Sequence, residues 1–185
     1  MSKEDMTQLL KDWRGGDSQA LGRIEPIVYE TLKRIAIKQM RKERPDHTLQ
    51  ATALVNDAYM QLLGGDIKWA DSAHFRALSA TIMRRTLIDH ARAKRTDKRG
   101  GDVHKVTLIE ANLADEESGI DVLEMDDALN KLARLDEPAA KVIELTFFGG
   151  MTYAEVGEVM GISKATVDRK LRIGKSWLYI ELNPE

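Results

Sequence analysis

The sequence predicts an all-α protein made of two small helical domains joined by a flexible acidic linker. Three observations carry that expectation. Apolar residues recur at helical spacing nearly throughout, with no convincing strand alternation. The stretch TDKRGGDVHKVTLIEANLADEESG is polar, contains glycine and has no sustained apolar period. Near the C-terminus a capped helix, a glycine turn and a second capped helix follow one another. The expected division is residues 1–96, a linker over 97–120, and a second domain over 121–185.

Taken in order, Asp17 can cap a helix whose one stripe carries Leu21, Ile24, Ile27, Val28, Leu32 and Ile35, with Pro26 marking a kink or a short break. From Leu49 to Leu63 the helical spacing continues through Leu54, Val55, Ala58, Tyr59 and Leu62, and Gly64-Gly65 stops it. Ser72 opens a long helix through Phe75, Leu78, Ile82, Leu87, Ile88 and Ala91 that runs out into KRTDKRGG. Trp69 and Phe75 admit two readings, stacking on unpaired bases or ordinary core packing. Within the linker, VTLIEANL has the make-up of a short helix or of a docking segment. Helices resume at about Asp121, with Val122, Leu123, Met125, Leu129, Leu132 and Leu135, and again after Pro138, which suits a first helical turn.

Composition excludes several function classes. With 43% hydrophobic residues in 185 the chain can build real cores, and with no Cys it has no disulfide, thiol nucleophile or Cys-based zinc site. The four His residues show no HxxxH or HExxH spacing, and no nucleotide-binding or hydrolase motif is present, so neither a metal, a cofactor nor an enzymatic reaction is expected. MSKEDMTQLLKDW lacks an apolar signal region and no run of about 18 apolar residues occurs, which predicts a soluble cytoplasmic protein.

A formal net charge of −2 hides a segregated distribution. Arg84, Arg85, Arg92, Lys94, Arg95, Lys98, Arg99 and Lys105 face only Asp89, Asp97 and Asp102 over one stretch. From Val106 to Asp127 there are eight acids and no cation. Positive charge then returns in Lys164, Arg169, Lys170, Arg172 and Lys175. Upstream of those five, Thr152 to Glu155 forms a capping box, Gly161 can turn the chain, and Ser163 caps the next helix. Gly157 lacks a side chain where two steeply crossing helices come closest. With Val167 and Leu171 turned inward, the five cations lie on outer faces that a major groove can receive. Arg169 and Arg172 are the expected base readers; Lys164, Lys170 and Lys175 are the expected phosphate contacts. The plainer reading of Arg92, Lys94, Arg95, Lys98 and Arg99 is a solubilised, fraying helix end.

Leu135-Asp-Glu-Pro138 followed by KVIELTFFGGMTYAEVGEVMGISKATVDRKL resembles region 4 of sigma-70-type transcription initiation factors. ALVNDAYMQLL resembles region 2.2, and IMRRTLIDHARAKR resembles regions 2.3 and 2.4. Two such domains without an intervening region 3 are similar to the extracytoplasmic-function (ECF) group. The resemblance implies a region 2-like domain that binds the β′ clamp helices of core RNA polymerase through Leu54, Val55, Asp57 and Gln61. It implies minus-10 contacts by Arg84, Arg85, Asp89, Arg92 and Arg95, and a region 4-like domain that binds the β flap and reads the minus-35 element. The acidic linker would thread toward the polymerase active site, a channel built to hold polyanion.

The chain departs from the family pattern in three places. Where relatives carry an acidic cluster before region 2.2, this sequence reads Gln50-Ala51-Thr52-Ala53, so it lacks charge-assisted contacts worth about 1.5–3 kcal/mol each. Phosphorylation of Thr52, or secondarily Thr48, by a Ser/Thr kinase would restore that charge, replacing or supplementing an anti-sigma factor; the alternative is that Thr52 simply caps a helix beginning at Ala53. Leu78, Ala80 and Arg85 stand where the melting motif often has Trp, Tyr and Asn. Asp168 sits on the reading helix, where an acid can accept from cytosine N4 or exclude phosphate. The competing functional reading is a dimeric helix-turn-helix regulator that binds operator DNA without polymerase.

Overall fold

The computed structural model describes residues 3–39, 48–64, 71–97, 105–106 and 120–183. Eight helices account for nearly all of them: α1 Lys3–Arg14, α2 Ser18–Gln39, α3 Thr48–Gly64, α4 Ser72–Asp97, α5 Val122–Leu135, α6 Glu137–Phe147, α7 Tyr153–Met160 and α8 Lys164–Leu182. The all-α expectation holds. No helix of the described residues is long and apolar enough to cross a membrane.

Helix α1 has no counterpart among the expected elements, because its polar composition masks a helical stripe: Leu9 and Leu10 are buried, and Met6 and Trp13 pack against the core beside them. Asp17 accepts from the Gln19 backbone at 2.9 Å as α2 begins. That helix continues through Pro26 without a break. Ile24, Val28, Leu32 and Ile35 are buried on both sides of the proline, and this packing offsets a penalty of about 3 kcal/mol for an interior proline. Asp71 receives the Ala73 and His74 backbone N–H groups and so starts α4.

The C-terminal helices begin at side-chain caps. Asp121 accepts from Leu123 at 3.0 Å, Asp136 from Ala139 at 3.0 Å, and Ser163 from Thr166 at 3.1 Å. Each satisfies a backbone donor that a helix N-terminus leaves without a partner. The sequence shows no strand, yet Lys105–Val106 (β1) pairs antiparallel with Ile120–Asp121 (β2), Lys105 opposite Asp121. The two ends of that span are thus held side by side. Most of VTLIEANL, and Trp69, lie outside the described residues.

One continuous buried cluster runs through both halves of the chain. In the N-terminal half it gathers Leu10, Ile24, Leu32, Leu54, Leu62 and Met83; in the C-terminal half, Met125, Leu129, Leu132, Ile143 and Phe148. Phe75 is fully buried, which decides for core packing over base stacking at that residue. Helix α4 lies at the seam, against α5, α6 and α7 as well as α1, α2 and α3.

Candidate nucleic-acid interface

The turn between α7 and α8 has the geometry its residue types anticipate. Thr152 Oγ1 accepts from the Glu155 backbone at 3.3 Å, and Glu155 Oε2 accepts from the Thr152 backbone at 2.9 Å. Gly161 adopts φ 65° and ψ 31°, the left-handed conformation that ends α7. The Ile162 backbone N–H then donates to Gly157 O at 3.0 Å. A Cβ on Gly157 would stand 2.7 Å from the Ile162 carbonyl oxygen, so the tight crossing requires glycine.

Val156, Val167 and Leu171 close the inner side of the motif. On the outer side Lys164, Arg169 and Arg172 are exposed and Lys175 is half-buried. Arg172 Nε lies 3.2 Å from Asp168 Oδ2 one turn earlier. Lys170 is placed differently from its neighbours. Its Nζ donates to Asp136 Oδ2 at 2.7 Å and to Oδ1 at 3.0 Å, tying α8 to the cap of α6. That hydrogen bond from Lys170 holds the Asp136 carboxyl below the usual range; partial burial opposes it and the Ala139 backbone N–H adds to it. The expected phosphate contact of Lys170 is therefore not offered in this conformation.

On α4, Arg85, Asp89 and Arg92 are exposed at helical spacing along one face, while the Arg95 side chain lies outside what the structure describes. Arg84 points elsewhere. Its Nε and Nη2 donate to Asp126 Oδ1 at 2.8 and 2.6 Å, Nη1 donates to Glu144 Oε2 at 2.9 Å, and Nη2 also reaches Asn130 Oδ1 at 2.9 Å. The guanidinium carbon stands 5.9 Å from the Phe148 ring centroid, within reach of a cation–π attraction. Thr81 Oγ1 and Lys141 Nζ donate to the other oxygen of Glu144 at 2.7 and 2.6 Å. Burial alone would raise the Glu144 carboxyl; the hydrogen bonds from Lys141, Thr81 and Arg84 outweigh it and lower the value.

The α3 face also needs correction. Leu54 and Val55, expected at the polymerase surface, are 2% exposed and belong to the core. Helical geometry forces this: both share the inward side with Ala58 and Leu62, so Thr52, Ala53, Asn56, Asp57, Met60 and Gln61 face outward. Asp57 Oδ2 lies 2.7 Å from His90 Nε2, and Gln61 donates to Thr86 Oγ1 at 3.3 Å, both on α4. Thr52 is the fifth residue of α3, not its cap, and is exposed. Thr48 begins that helix.

Sequence reasoning missed Asp126, Glu144 and Phe148 as partners of α4. A signal existed for Glu144, an acid set inside the apolar run VIELTFF. Asp126 was hidden in the acidic stretch around it.

The family model described as ECF sigma factor matches residues 3–184. No curated protein matches the chain. Among solved structures, one similar chain comes from the co-crystal structure of the sigma factor RpoE in complex with the anti-sigma factor NepR from Bartonella quintana. It shares 18% identity and a TM-score of 0.41, over 89% of this chain and 98% of that one.

Proposed function

The chain belongs to the ECF sigma factor family, and from that premise we propose how its two halves divide the work of promoter-specific initiation. Membership implies RNA polymerase and promoter DNA as partners. In our reading α8 enters the major groove of the minus-35 element, with Arg169 and Arg172 toward base edges and Lys164 and Lys175 toward phosphate. The observation that carries this is the exposure of Lys164, Arg169 and Arg172 on a capped second helix whose inner side is closed by Val167 and Leu171. Arg85, Asp89 and Arg92 on α4 face the minus-10 element, and the outward side of α3, with Asp57 and Gln61, meets the polymerase clamp. The C-terminal half also meets the flap.

We further propose that Thr52 is a phosphorylation switch. It stands exposed on the same side of α3 as Asn56 and Asp57, so a phosphate would add about −1.5 to −2 charge where relatives carry acids. Its place inside the helix removes the capping role that competed with this reading.

The deciding experiment titrates purified core RNA polymerase with the unmodified chain, Thr52→Glu and Thr52→Ala. Binding confined to Thr52→Glu supports the switch; equal, tight binding by all three removes it and leaves the sigma factor reading intact. If none binds core, and the chain instead shifts palindromic DNA as a dimer, the operator-binding regulator replaces it.

A further inference from the structure

Among the described residues, Arg76 alone keeps buried side-chain nitrogens without a hydrogen-bond partner. Its Nη1 donates to Glu155 Oε1 at 2.9 Å, joining α4 to the first turn of α7. Nε and Nη2 are sealed from solvent and meet no acceptor. The other oxygen of Glu155 is engaged by the Thr152 backbone and hydroxyl at 2.9 and 3.0 Å. Nε and Nη2 form an edge of the guanidinium that can meet a carboxylate through two parallel hydrogen bonds. Leaving such donors unmade is costly, and a bound group is among the standard reasons for it.

Arg76 lines an open cleft of about 780 Å3, within the range of about 300–1,000 Å3 typical of small-molecule sites. Its walls come from α1, α2, the start of α4, the loop after α6 and the first turn of α7. Met6, Ile27, Ile35 and Met151 make the lining mainly apolar, and Thr31 and Ser72 add hydroxyls. Gly150, at φ 60°, also lines it; a Cβ there would stand 3.8 Å from Ile35 Cγ1, so glycine keeps that space clear.

Charge decides the class of occupant. Two cations, Arg34 and Arg76, and two acids, Glu30 and Glu155, line the cleft. Glu155 is committed to Arg76, and Glu30 lies 3.8 Å from Lys33. Arg34 is exposed and pairs with no acid among the described residues. A single negative charge is therefore balanced here, whereas a dianion meets repulsion from both carboxylates.

We propose that this cleft binds a small amphiphilic monocarboxylate, its headgroup held by Arg76 and Arg34 and its apolar body laid along Met6, Ile27, Ile35 and Met151. The Arg76 side chain is already 20% exposed, so a turn of its flexible stem presents the unused edge to the cleft. Neither the cations of α8 nor the outward residues of α3 line this site. It is a property of the chain alone and does not depend on the sigma factor reading.

Decanoate is the probe, titrated calorimetrically into the full-length chain below its micelle concentration. One molecule should bind per chain and raise Tm in a concentration-dependent way. Decanol, with the same tail and no charge, and decyl phosphate, with more than one charge at neutral pH, should each bind roughly tenfold more weakly or worse. Arg34→Gln should weaken decanoate by about tenfold, and Arg76→Lys, which keeps a cation opposite Glu155 but removes the forked edge, by roughly 10–100-fold. Arg23→Gln, an exposed position of α2 outside the cleft, removes the same charge and should change nothing. Absence of saturable binding overturns the site. So does decanol or decyl phosphate binding as tightly as decanoate, or an equal effect of Arg34→Gln and Arg23→Gln. Should Arg76→Lys fail to fold, the comparison of Arg34→Gln with Arg23→Gln decides. Core polymerase plays no part in the readout, so failure here leaves the sigma factor reading untouched.

Discussion

Gly157→Ala tests the helix-turn-helix crossing through a single methyl group. The new Cβ would meet the Ile162 carbonyl oxygen at 2.7 Å and Val167 Cγ2 at 3.8 Å. The first contact is below any normal approach and involves backbone, so the chain between α7 and α8 has to move. Overpacking of this kind costs about 1–3 kcal/mol. Alanine recovers about 1 kcal/mol over glycine in a helix, leaving a net loss of up to about 2 kcal/mol. For a chain of this size that lowers Tm by up to roughly 8 °C. Gly22→Ala in α2 is the matched control, because nothing lies within 4 Å of its Cβ position; there the same substitution should stabilise by about 0.5–1 kcal/mol. Thermal melts of both variants beside the parent provide the assay. A Gly157→Ala protein melting as far above the parent as the Gly22→Ala control would refute the reasoning, because the crossing would then tolerate the methyl without strain.

Two further outcomes follow from named side chains. Arg169→Ala with Arg172→Ala should cost about 1–3 kcal/mol of discrimination for each base the arginines read, seen as a fall in the ratio of promoter to random-duplex affinity at fixed salt; an unchanged ratio assigns base reading elsewhere. Glu144 should give stability a pH dependence. Its folded value lies below the ordinary 4.5, so its contribution is complete above that value and is lost as pH falls through the lowered one. Denaturation of the parent and Glu144→Gln at neutral pH and in acid should show a stability gap that narrows below pH 4.5; a gap that is constant or wider in acid contradicts the sign.

Much of the candidate interface was legible because it depends on residues close in sequence. Thr152, Glu155, Gly161 and Ser163 form caps and a turn with partners at most five residues away, so residue type and spacing suffice to place them. The α3 surface was legible only in part. Asp57 and Gln61 face outward as expected, while the 3.6-residue period turns Leu54 and Val55 inward. Helix α1 escaped because Leu9 and Leu10 are too few to announce an amphipathic stripe among charged neighbours. The β1–β2 pair escaped because two-residue strands carry no alternation to detect.

The sequence by itself determined the all-α class, the starts of α2 and α4 through α8, the helix-turn-helix and the family. Each rests on local hydrogen bonding, helical periodicity or a motif with fixed spacing. Only the tertiary structure decided which cations face outward. Arg84 and Arg85 are adjacent and identical in charge, but a turn of about 100° per residue sends Arg84 to Asp126 and Glu144 while Arg85 meets solvent. Those partners lie 42 and 60 residues away, brought close by packing of Phe148 and Gly149 against α4. Local propensity carries no information about such a meeting.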